Sequence, residues 1–313
     1  MNTRELFSRI ARLPITAEGL ATNMLAGSFR SVFRGQGMEF DEARHYQWGD
    51  DAKSIDWNAS TRLGTPFVKV FREERELSVM LLLDASASMH SGIARPWGSV
   101  GGDQRLSPYE QALIATALIA FSAERSGQRV GAFLFDREVE RMFPPRKGRL
   151  GVLAFVSGAL RLHMPKPVAR KPLPNEMRGS NILAAISAAG RLLKRRSMIV
   201  LASDFLSVGW EQEMGRLSRR HDVVAARVYD PRESDVPDMG LLSVADPETG
   251  ERISAPTGSA SFREAWSAWH SNRADLWQKL CRRAGATPLE LPVTADAAAV
   301  LTRFFGSRAR GGS

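Results

Sequence analysis

Residues 77–306 alternate between short continuous apolar runs and segments whose apolar residues recur every three or four positions. The clearest run is Val79–Leu83, which is followed directly by Asp84. Runs of this kind are typical of strands that are buried on both faces, as in parallel sheets covered by helices. The pattern therefore predicts a buried strand that ends at Asp84.

Helix signals lie between the apolar runs. Ser107, Pro108 and Glu110 provide an N-cap, a first-turn proline and the acidic partner of a capping box, so they predict a helix start. The pattern continues to about Arg125, before Gly127. The other expected elements are strands at 130–135, 138–143, 198–203, 223–229 and 289–293, helices at 149–162, 181–195, 210–220, 261–284 and 296–305, and a hairpin at 241–254.

This alternation predicts an α/β fold with a doubly wound, mostly parallel sheet and helices on both faces. We expect the domain to span residues 77–306, with a hairpin insertion near 233–260. Residues 307–313 should form a disordered tail. Residues 1–76 are polar and irregular, and we expect them to form an N-terminal flanking segment packed on the main domain.

Two of the predicted strands end directly in aspartate, at Asp84 and at Asp204. In a doubly wound sheet, ligands bind beyond the carboxyl ends of the strands, at the point where the strand order reverses. Ser86 and Ser88 add hydroxyls to the first loop, and Ser180 adds one ahead of a helix. Because Mg²⁺ (or Mn²⁺) prefers oxygen ligands, these five residues are a candidate metal site. Hydroxyls are neutral, so the ion would also attract an acidic group from another protein.

Composition narrows the classes of protein. The chain has 313 residues, of which 43% are hydrophobic, so a packed core needs no disulfides, and its single cysteine forms no internal pair. No apolar run approaches the ~20 residues of a membrane helix. The first residues lack the apolar core of a secretory signal, and Leu6, Ile10 and Leu13 predict a short amphipathic helix there. We expect a cytoplasmic protein, in contact with a membrane at most at its periphery.

The segment Asp84-Ala85-Ser86-Ala87-Ser88 after a buried strand resembles the metal-ion-dependent adhesion site of von Willebrand factor A domains. The resemblance implies a Rossmann-like fold over about residues 77–230. It places Asp84, Ser86 and Ser88 in the first metal-binding loop and Asp204 in the third. The second loop of that family carries a threonine, and Ser180 stands at the matching position.

A wider resemblance covers nearly the whole chain. The stretches Tyr46–Trp57, Phe71–Glu74 and Asp246–Gly250 are similar to domain-of-unknown-function family 58, DUF58. Many members carry two N-terminal membrane helices, which this sequence does not show. The resemblance implies a partnership with MoxR-type AAA+ ATPases, in which the protein acts as an adaptor or co-factor in a chaperone-like or complex-maturation system.

Three further clusters have less specific interpretations. A basic loop with Lys166, Arg170, Lys171 and Arg178 leads to Ser180, so it is a candidate partner-binding surface as well as an ordinary solvated loop. The acidic residues Asp50, Asp51 and Asp56 lie near Arg44, Lys53 and Arg62, which favours an ion-pair network over a second metal site. Trp266, Trp269, Trp277 and Cys281 fall on one face of a predicted helix, which favours core packing.

Two other functions remain open from the sequence. A Mg²⁺-dependent phosphatase would use Asp84 as a nucleophile, but its general acid would stand two residues later, where this chain has Ser86. The net charge of +9 also permits nucleic-acid binding. The only tight basic run in the sequence, Lys194–Arg196, lies at the end of a predicted helix, where the helix dipole favours cations whether or not a nucleic acid binds. We therefore expect a non-enzymatic, metal-dependent protein-binding module and no nucleic-acid partner.

Overall fold

The computed structural model of the chain divides into two units, described separately below: residues 1–29 with 77–313, and residues 30–76. The structure describes residues 8, 10, 12, 13, 17, 39–48, 50–51, 54–72, 78–90, 106–162, 180–246 and 251–310. Among them, no helix combines the length and the apolar character that a membrane-spanning segment requires.

The smaller unit contains an antiparallel strand pair, β1 (Glu39–His45) with β2 (Phe67–Arg72), and the helix α1 (Trp57–Leu63). Arg44 forms two hydrogen bonds to Asp50, at 2.8 and 2.7 Å, which is the kind of ion pair expected in this acidic stretch. Asp56 caps α1 by accepting from two backbone N–H groups. Both carboxylates thus have structural roles in this unit.

The larger unit is built on a six-stranded sheet. Its strands are β3 (Ser78–Asp84), β4 (Arg129–Phe135), β5 (Val139–Arg146), β6 (Met198–Ser203), β7 (Asp222–Tyr229) and β10 (Thr287–Pro292), and β8 (Leu241–Ala245) pairs with β9 (Arg252–Pro256) in a separate hairpin. The strand order is β10-β7-β6-β3-β4-β5, and all neighbouring strands are parallel except the pair β4–β5. The chain order reverses between β3 and β6, so the prediction of a doubly wound, mostly parallel sheet is confirmed.

Helices cover both faces of this sheet. Alternate residues of β3 show it: Val79, Leu81 and Leu83 belong to one buried cluster, whereas Met80 and Leu82 belong to another. The helices that follow β3 along the chain are α2 (Ala87–His90), α3 (Pro108–Arg125), α4 (Arg149–Leu162), α5 (Ile182–Leu192), α6 (Glu211–Ser218), α7 (Ala260–Arg283) and α8 (Ala297–Arg310). Of these, α3, α4 and α8 contribute to the first cluster, and α5, α6 and α7 contribute to the second.

The start of α3 has the expected capping box, because Ser107 and Glu110 each bond the other's backbone N–H. Two residues of the predicted N-terminal helix, Ile10 and Leu13, are helical and buried in the same cluster as α3. Leu6 lies outside the described residues. Ile10 and Leu13 therefore contribute apolar side chains to the first buried cluster.

Two expectations about the C-terminal helices need correction. The helix α8 continues to Arg310 instead of ending at residue 305, because Arg308 donates a 2.7 Å hydrogen bond to Asp222. On α7, Trp277 and Cys281 are buried as expected, but Trp269 is 48% exposed. The tryptophan face of α7 is therefore only partly a core face.

Gly131 of β4 offers a test of the sheet's edge. A Cβ atom at this position would lie 2.8 Å from the Pro145 backbone nitrogen and 2.9 Å from the Phe143 carbonyl oxygen. Because backbone atoms cannot move aside cheaply, we expect Gly131→Ala to lower the free energy of unfolding by about 2 kcal/mol. Urea denaturation measures this change.

The matched control is Gly215→Ala in α6, where a Cβ atom meets nothing within 4 Å. Alanine favours a helix more than glycine does, so we expect a gain of up to about 1 kcal/mol. Equal stability of the two variants would contradict the close approach of β5 to β4.

Candidate metal centre

The two aspartates expected at strand ends follow neighbouring strands. In the pairing of β3 with β6, Leu83 lies opposite Ala202. Asp84 is the next residue of the first strand, and Ser203 and Asp204 follow in the second. The parallel strands β3 and β6 stand where the strand order reverses, so both aspartates lie at the switch point at which such sheets bind ligands.

Asp84 is fully buried, and both of its carboxyl oxygens are hydrogen-bonded. The Ser203 hydroxyl donates to Oδ2 at 2.6 Å, and the Ser86 backbone N–H donates to Oδ1 at 2.9 Å. The first contact joins the end of β3 to the end of β6. The second turns the backbone of the loop around the carboxylate, so Asp84 has a fixed orientation.

The hydroxyls of the first loop extend this network to Asp204. The Oγ atoms of Ser86 and Ser88 are 3.1 Å apart, and Ser88 is hydrogen-bonded to the side chain of Asp204. The Leu206 backbone N–H donates to Oδ1 of Asp204 at 2.9 Å. Four of the five predicted ligands are thus linked in one chain of hydrogen bonds.

Burial changes the acidity of both carboxyl groups. The pKa of Asp84 is raised to about 7, first by burial and then by the negative charge of Asp204. Burial also raises the pKa of Asp204, against the hydrogen bond from Ser88 and the charge of Arg273. Ionising both groups together is unfavourable unless a cation offsets their charge.

Ser180 is brought to the same edge of the sheet but not into the chain of hydrogen bonds among the described residues. It is buried and stands just before Asn181, the N-cap of α5. The Asn181 backbone N–H donates to the Asp136 carbonyl at 2.7 Å, directly after β4. The Ala85 backbone N–H donates a hydrogen bond to the carbonyl of Phe135, the last residue of β4. The loops that contain Ser180 and Ala85 therefore lie at the same end of the sheet.

The side chains of this site fit a hard divalent cation. Two carboxylates and the hydroxyls of Ser86, Ser88 and Ser180 form an all-oxygen donor set, which Mg²⁺ and Mn²⁺ accept. Over the described ranges, no group of three or more His, Cys, Asp or Glu side chains is placed to hold a metal ion. A metal here would therefore depend on the serine hydroxyls as well as on the two acids.

Sequence reasoning missed two residues of this site. Ser203, which orients Asp84, could have been suspected from its place between a buried strand and Asp204. Arg273 of α7 donates to the Phe205 carbonyl at 3.0 Å, and its charge lowers the pKa of Asp204. No sequence signal joins Arg273 to a loop that lies so far back along the chain.

The basic cluster expected to bind a partner lies outside the described residues. It comprises Lys166, Arg170, Lys171 and Arg178. Its role in partner binding stays a prediction.

Comparison with known proteins places the chain among sequences without a stated activity. A family model described as "Protein of unknown function DUF58" matches residues 42–275. The "Uncharacterized protein Rv1480" of Mycobacterium tuberculosis (strain ATCC 25618 / H37Rv) is 31% identical over 312 residues, which cover 98% of this chain and 91% of the relative. The "Uncharacterized protein MAV169" of Mycobacterium avium is 37% identical over 140 residues, covering 44% of this chain and 81% of the relative.

Two solved structures show a distant likeness. "Conserved hypothetical protein BatB from Bacteroides thetaiotaomicron" is 15% identical, covers 75% of this chain and 99% of its own, and has a TM-score of 0.40. The "SpRpn10 VWA domain" is 12% identical, covers 74% and 95%, and has a TM-score of 0.38. At these scores the likeness transfers no property to this chain.

Proposed function

The chain belongs to the DUF58 family, and from the geometry of its site we propose that it is a metal-dependent protein-binding module. The observation that supports this proposal is the chain of hydrogen bonds that links Asp84, Ser86, Ser88 and Asp204 at the switch point of the sheet. Contacts within and between loops hold these oxygens together. The pKa of both carboxyl groups is raised, so their ionised forms would be stabilised by a nearby cation.

In this proposal Asp84, Ser86, Ser88 and Asp204 hold the ion, and Ser180 adds a hydroxyl from the neighbouring loop. Mg²⁺ or Mn²⁺ prefers about six oxygen ligands, and the five side chains supply one oxygen each. A carboxylate oxygen of a partner protein is then the favoured additional ligand. The site would thus join two proteins through one ion.

Binding is a better interpretation than turnover. Ser86 occupies the position at which a phosphatase using Asp84 would need its general acid, and its hydroxyl lies 3.1 Å from the Ser88 hydroxyl. A serine hydroxyl does not titrate near neutral pH, so it is a poor proton donor to a leaving group. No described contact favours catalysis by Asp84.

The proposed partner class rests on the family resemblance. We propose that the module works with a MoxR-type AAA+ ATPase, as an adaptor in a chaperone-like or complex-maturation system. The acidic ligand would belong to that ATPase or to the protein on which it acts.

A capture experiment tests the proposal. Immobilised protein is incubated with host lysate in Mg²⁺ and in excess chelator, and captured proteins are identified by mass spectrometry. We expect an AAA+ ATPase to be retained only with Mg²⁺. Asp84→Ala should abolish this retention and leave the circular dichroism spectrum unchanged, because it removes a metal ligand.

Asp275→Ala is the matched control, since this exposed aspartate of α7 has no hydrogen bond or ion pair with other described residues. Capture should match that of the unmodified protein. Unchanged capture by Asp84→Ala, or equal capture with chelator, would contradict the metal-dependent mechanism.

A further inference from the structure

Two apolar side chains are displayed directly beside the candidate metal centre. Leu206 is 50% exposed and Val208 is 88% exposed, and both follow Asp204 within the same loop. In contrast, the strand that leads into this loop, β6, is buried at every position. The chain thus changes from fully buried to outward-facing apolar residues within a few positions of a proposed metal ligand.

This loop is held in place by several contacts. The Phe205 N–H donates to the Ser203 hydroxyl at 3.1 Å, and the Leu206 N–H donates to Asp204 at 2.9 Å. The Trp210 indole N–H donates to the Ser207 carbonyl at 3.1 Å. These contacts fix the backbone on both sides of Leu206 and Val208. The conformation of the loop therefore holds both side chains in exposed positions.

Phe205 shows how strongly this conformation is imposed. It is the one described non-glycine residue with a positive φ, 55°, a region that side chains other than glycine rarely adopt. Its buried ring packs against Trp210 and Trp277, at centroid distances of 5.4 and 5.6 Å. With Phe205 anchored inside, Leu206 is the next residue and faces outward.

Arg273 connects this loop to a third exposed apolar side chain. Its guanidinium donates to the Phe205 carbonyl at 3.0 Å and lies 5.3 Å from the centre of the Trp269 ring. Trp269 is 48% exposed, although its helix face also carries the buried Trp277. The Asp204 loop therefore carries two exposed apolar side chains, and Arg273 links it to a third, Trp269.

We infer that Leu206, Val208, Trp269 and Arg273 form a docking rim for a protein segment in which an acidic residue is directly flanked by apolar residues. The inference rests on the proposed function and specifies the chemistry of its partner. The acidic residue would reach the metal ion and the positive charge of Arg273. The flanking apolar side chains would lie on Leu206, Val208 and Trp269.

Charge complementarity selects this occupant. A purely apolar segment would offer no oxygen ligand to the bound ion and no carboxylate to Arg273, whereas a purely acidic one would leave the three apolar side chains in water. The fixed loop also reduces the entropy lost on binding, because these side chains are already presented in place.

Fluorescence polarisation with three labelled peptides tests the rim. The probes are Gly-Leu-Glu-Leu-Gly, Gly-Ser-Glu-Ser-Gly and Gly-Leu-Gln-Leu-Gly, each titrated with the full chain in Mg²⁺ and in chelator. We expect the Leu-flanked acidic peptide to bind about tenfold more tightly than the Ser-flanked one, since it buries more apolar surface. The glutamine peptide should bind far more weakly than both.

Leu206→Ser combined with Val208→Ser should greatly reduce the preference for leucine, because only Trp269 remains of the three apolar side chains, and it should keep the Mg²⁺-dependent binding of both acidic peptides. Both positions are exposed, so folding should be unaffected. Leu150→Ser on α4 is the control, because Leu150 is 84% exposed and distant in sequence from the rim. It should keep the tenfold preference.

The other outcomes separate the two proposals. Equal Mg²⁺-dependent binding of both acidic peptides would overturn the docking rim and leave the metal site standing. Absence of Mg²⁺-dependent binding to any acidic peptide would overturn the proposed function, and the rim with it. Mg²⁺-dependent dimerisation that the double serine variant abolishes would assign the rim to a second copy of this chain and overturn the partner stated here.

Discussion

Asp84→Asn will stabilise the metal-free protein at about pH 8 while it abolishes stabilisation by Mg²⁺. Burial and the charge of Asp204 raise the pKa of Asp84 to about 7, so the ionised carboxylate is an unfavourable group in the folded chain. Removing a charge whose pKa is displaced this far should stabilise by on the order of 3 kcal/mol. Asparagine has one acceptor oxygen in place of two, so we expect a net gain of about 2 kcal/mol.

The gain should depend on pH. A raised pKa means that the folded state binds a proton more readily than the unfolded chain. The stability that Asp84 contributes is therefore fully present below about pH 4 and is lost as the pH rises through about 7. Asp84→Asn should remove this decline, so the variant loses its advantage as the pH falls and is less stable than the unmodified protein by about 1 kcal/mol near pH 4. Urea denaturation in chelator at several pH values measures both curves.

Asp222→Asn makes the same chemical change where the surroundings are opposite. Asp222 pairs with Arg308 at 2.7 Å, and both side chains are largely buried. Losing this carboxylate leaves a buried guanidinium without its counter-charge, so we expect a destabilisation of about 2 kcal/mol. Two results would contradict the metal site. One is destabilisation by Asp84→Asn at about pH 8. The other is an increase in the melting temperature of this variant on addition of Mg²⁺ that equals the increase in the unmodified protein.

The residues that sequence reasoning placed correctly have signals in their immediate neighbourhood. The capping box at Ser107 and the strand ending at Asp84 are both local patterns. Bringing Asp84 and Asp204 together needed one general rule of doubly wound sheets, namely that ligands bind where the strand order reverses. The proximity of the two aspartates in the candidate site could therefore be predicted from the sequence.

The features that were missed depend on contacts between distant parts of the chain. Arg308 extends α8 because it meets Asp222 on β7, and Arg273 reaches the Phe205 carbonyl from α7. Periodicity placed Trp269 and Trp277 on the same face of α7, but a helix face is buried only as far as its neighbours extend. The exposure of each tryptophan depends on the helices and strands that pack around α7. The periodicity of the helix sequence alone does not contain this information.

The affinity of the site for Mg²⁺ should fall steeply as the pH drops below about 7. The ion binds the ionised form of Asp84, and a proton competes for the same carboxylate with a pKa of about 7. Because Asp204 binds the same ion and its pKa is also raised, the apparent dissociation constant should rise at least about tenfold for each pH unit below that value. Isothermal titration with Mn²⁺ or Mg²⁺ between about pH 5.5 and 8 measures it, and buffers of different ionisation enthalpy should reveal release of at least about one proton per ion near pH 6.

Ser203→Ala identifies Asp84 as the group that titrates. The Ser203 hydroxyl donates to Oδ2 of Asp84 at 2.6 Å and so stabilises the ionised form. Its removal raises the pKa of Asp84 further, because burial is then opposed by fewer hydrogen bonds. The pH at which metal affinity begins to fall should move upward in this variant. It should not move in Ser126→Ala, whose hydroxyl bonds the Ser122 carbonyl at the end of α3. A downward movement in Ser203→Ala, or metal affinity that is constant across this pH range, would show that Asp84 does not bind the ion.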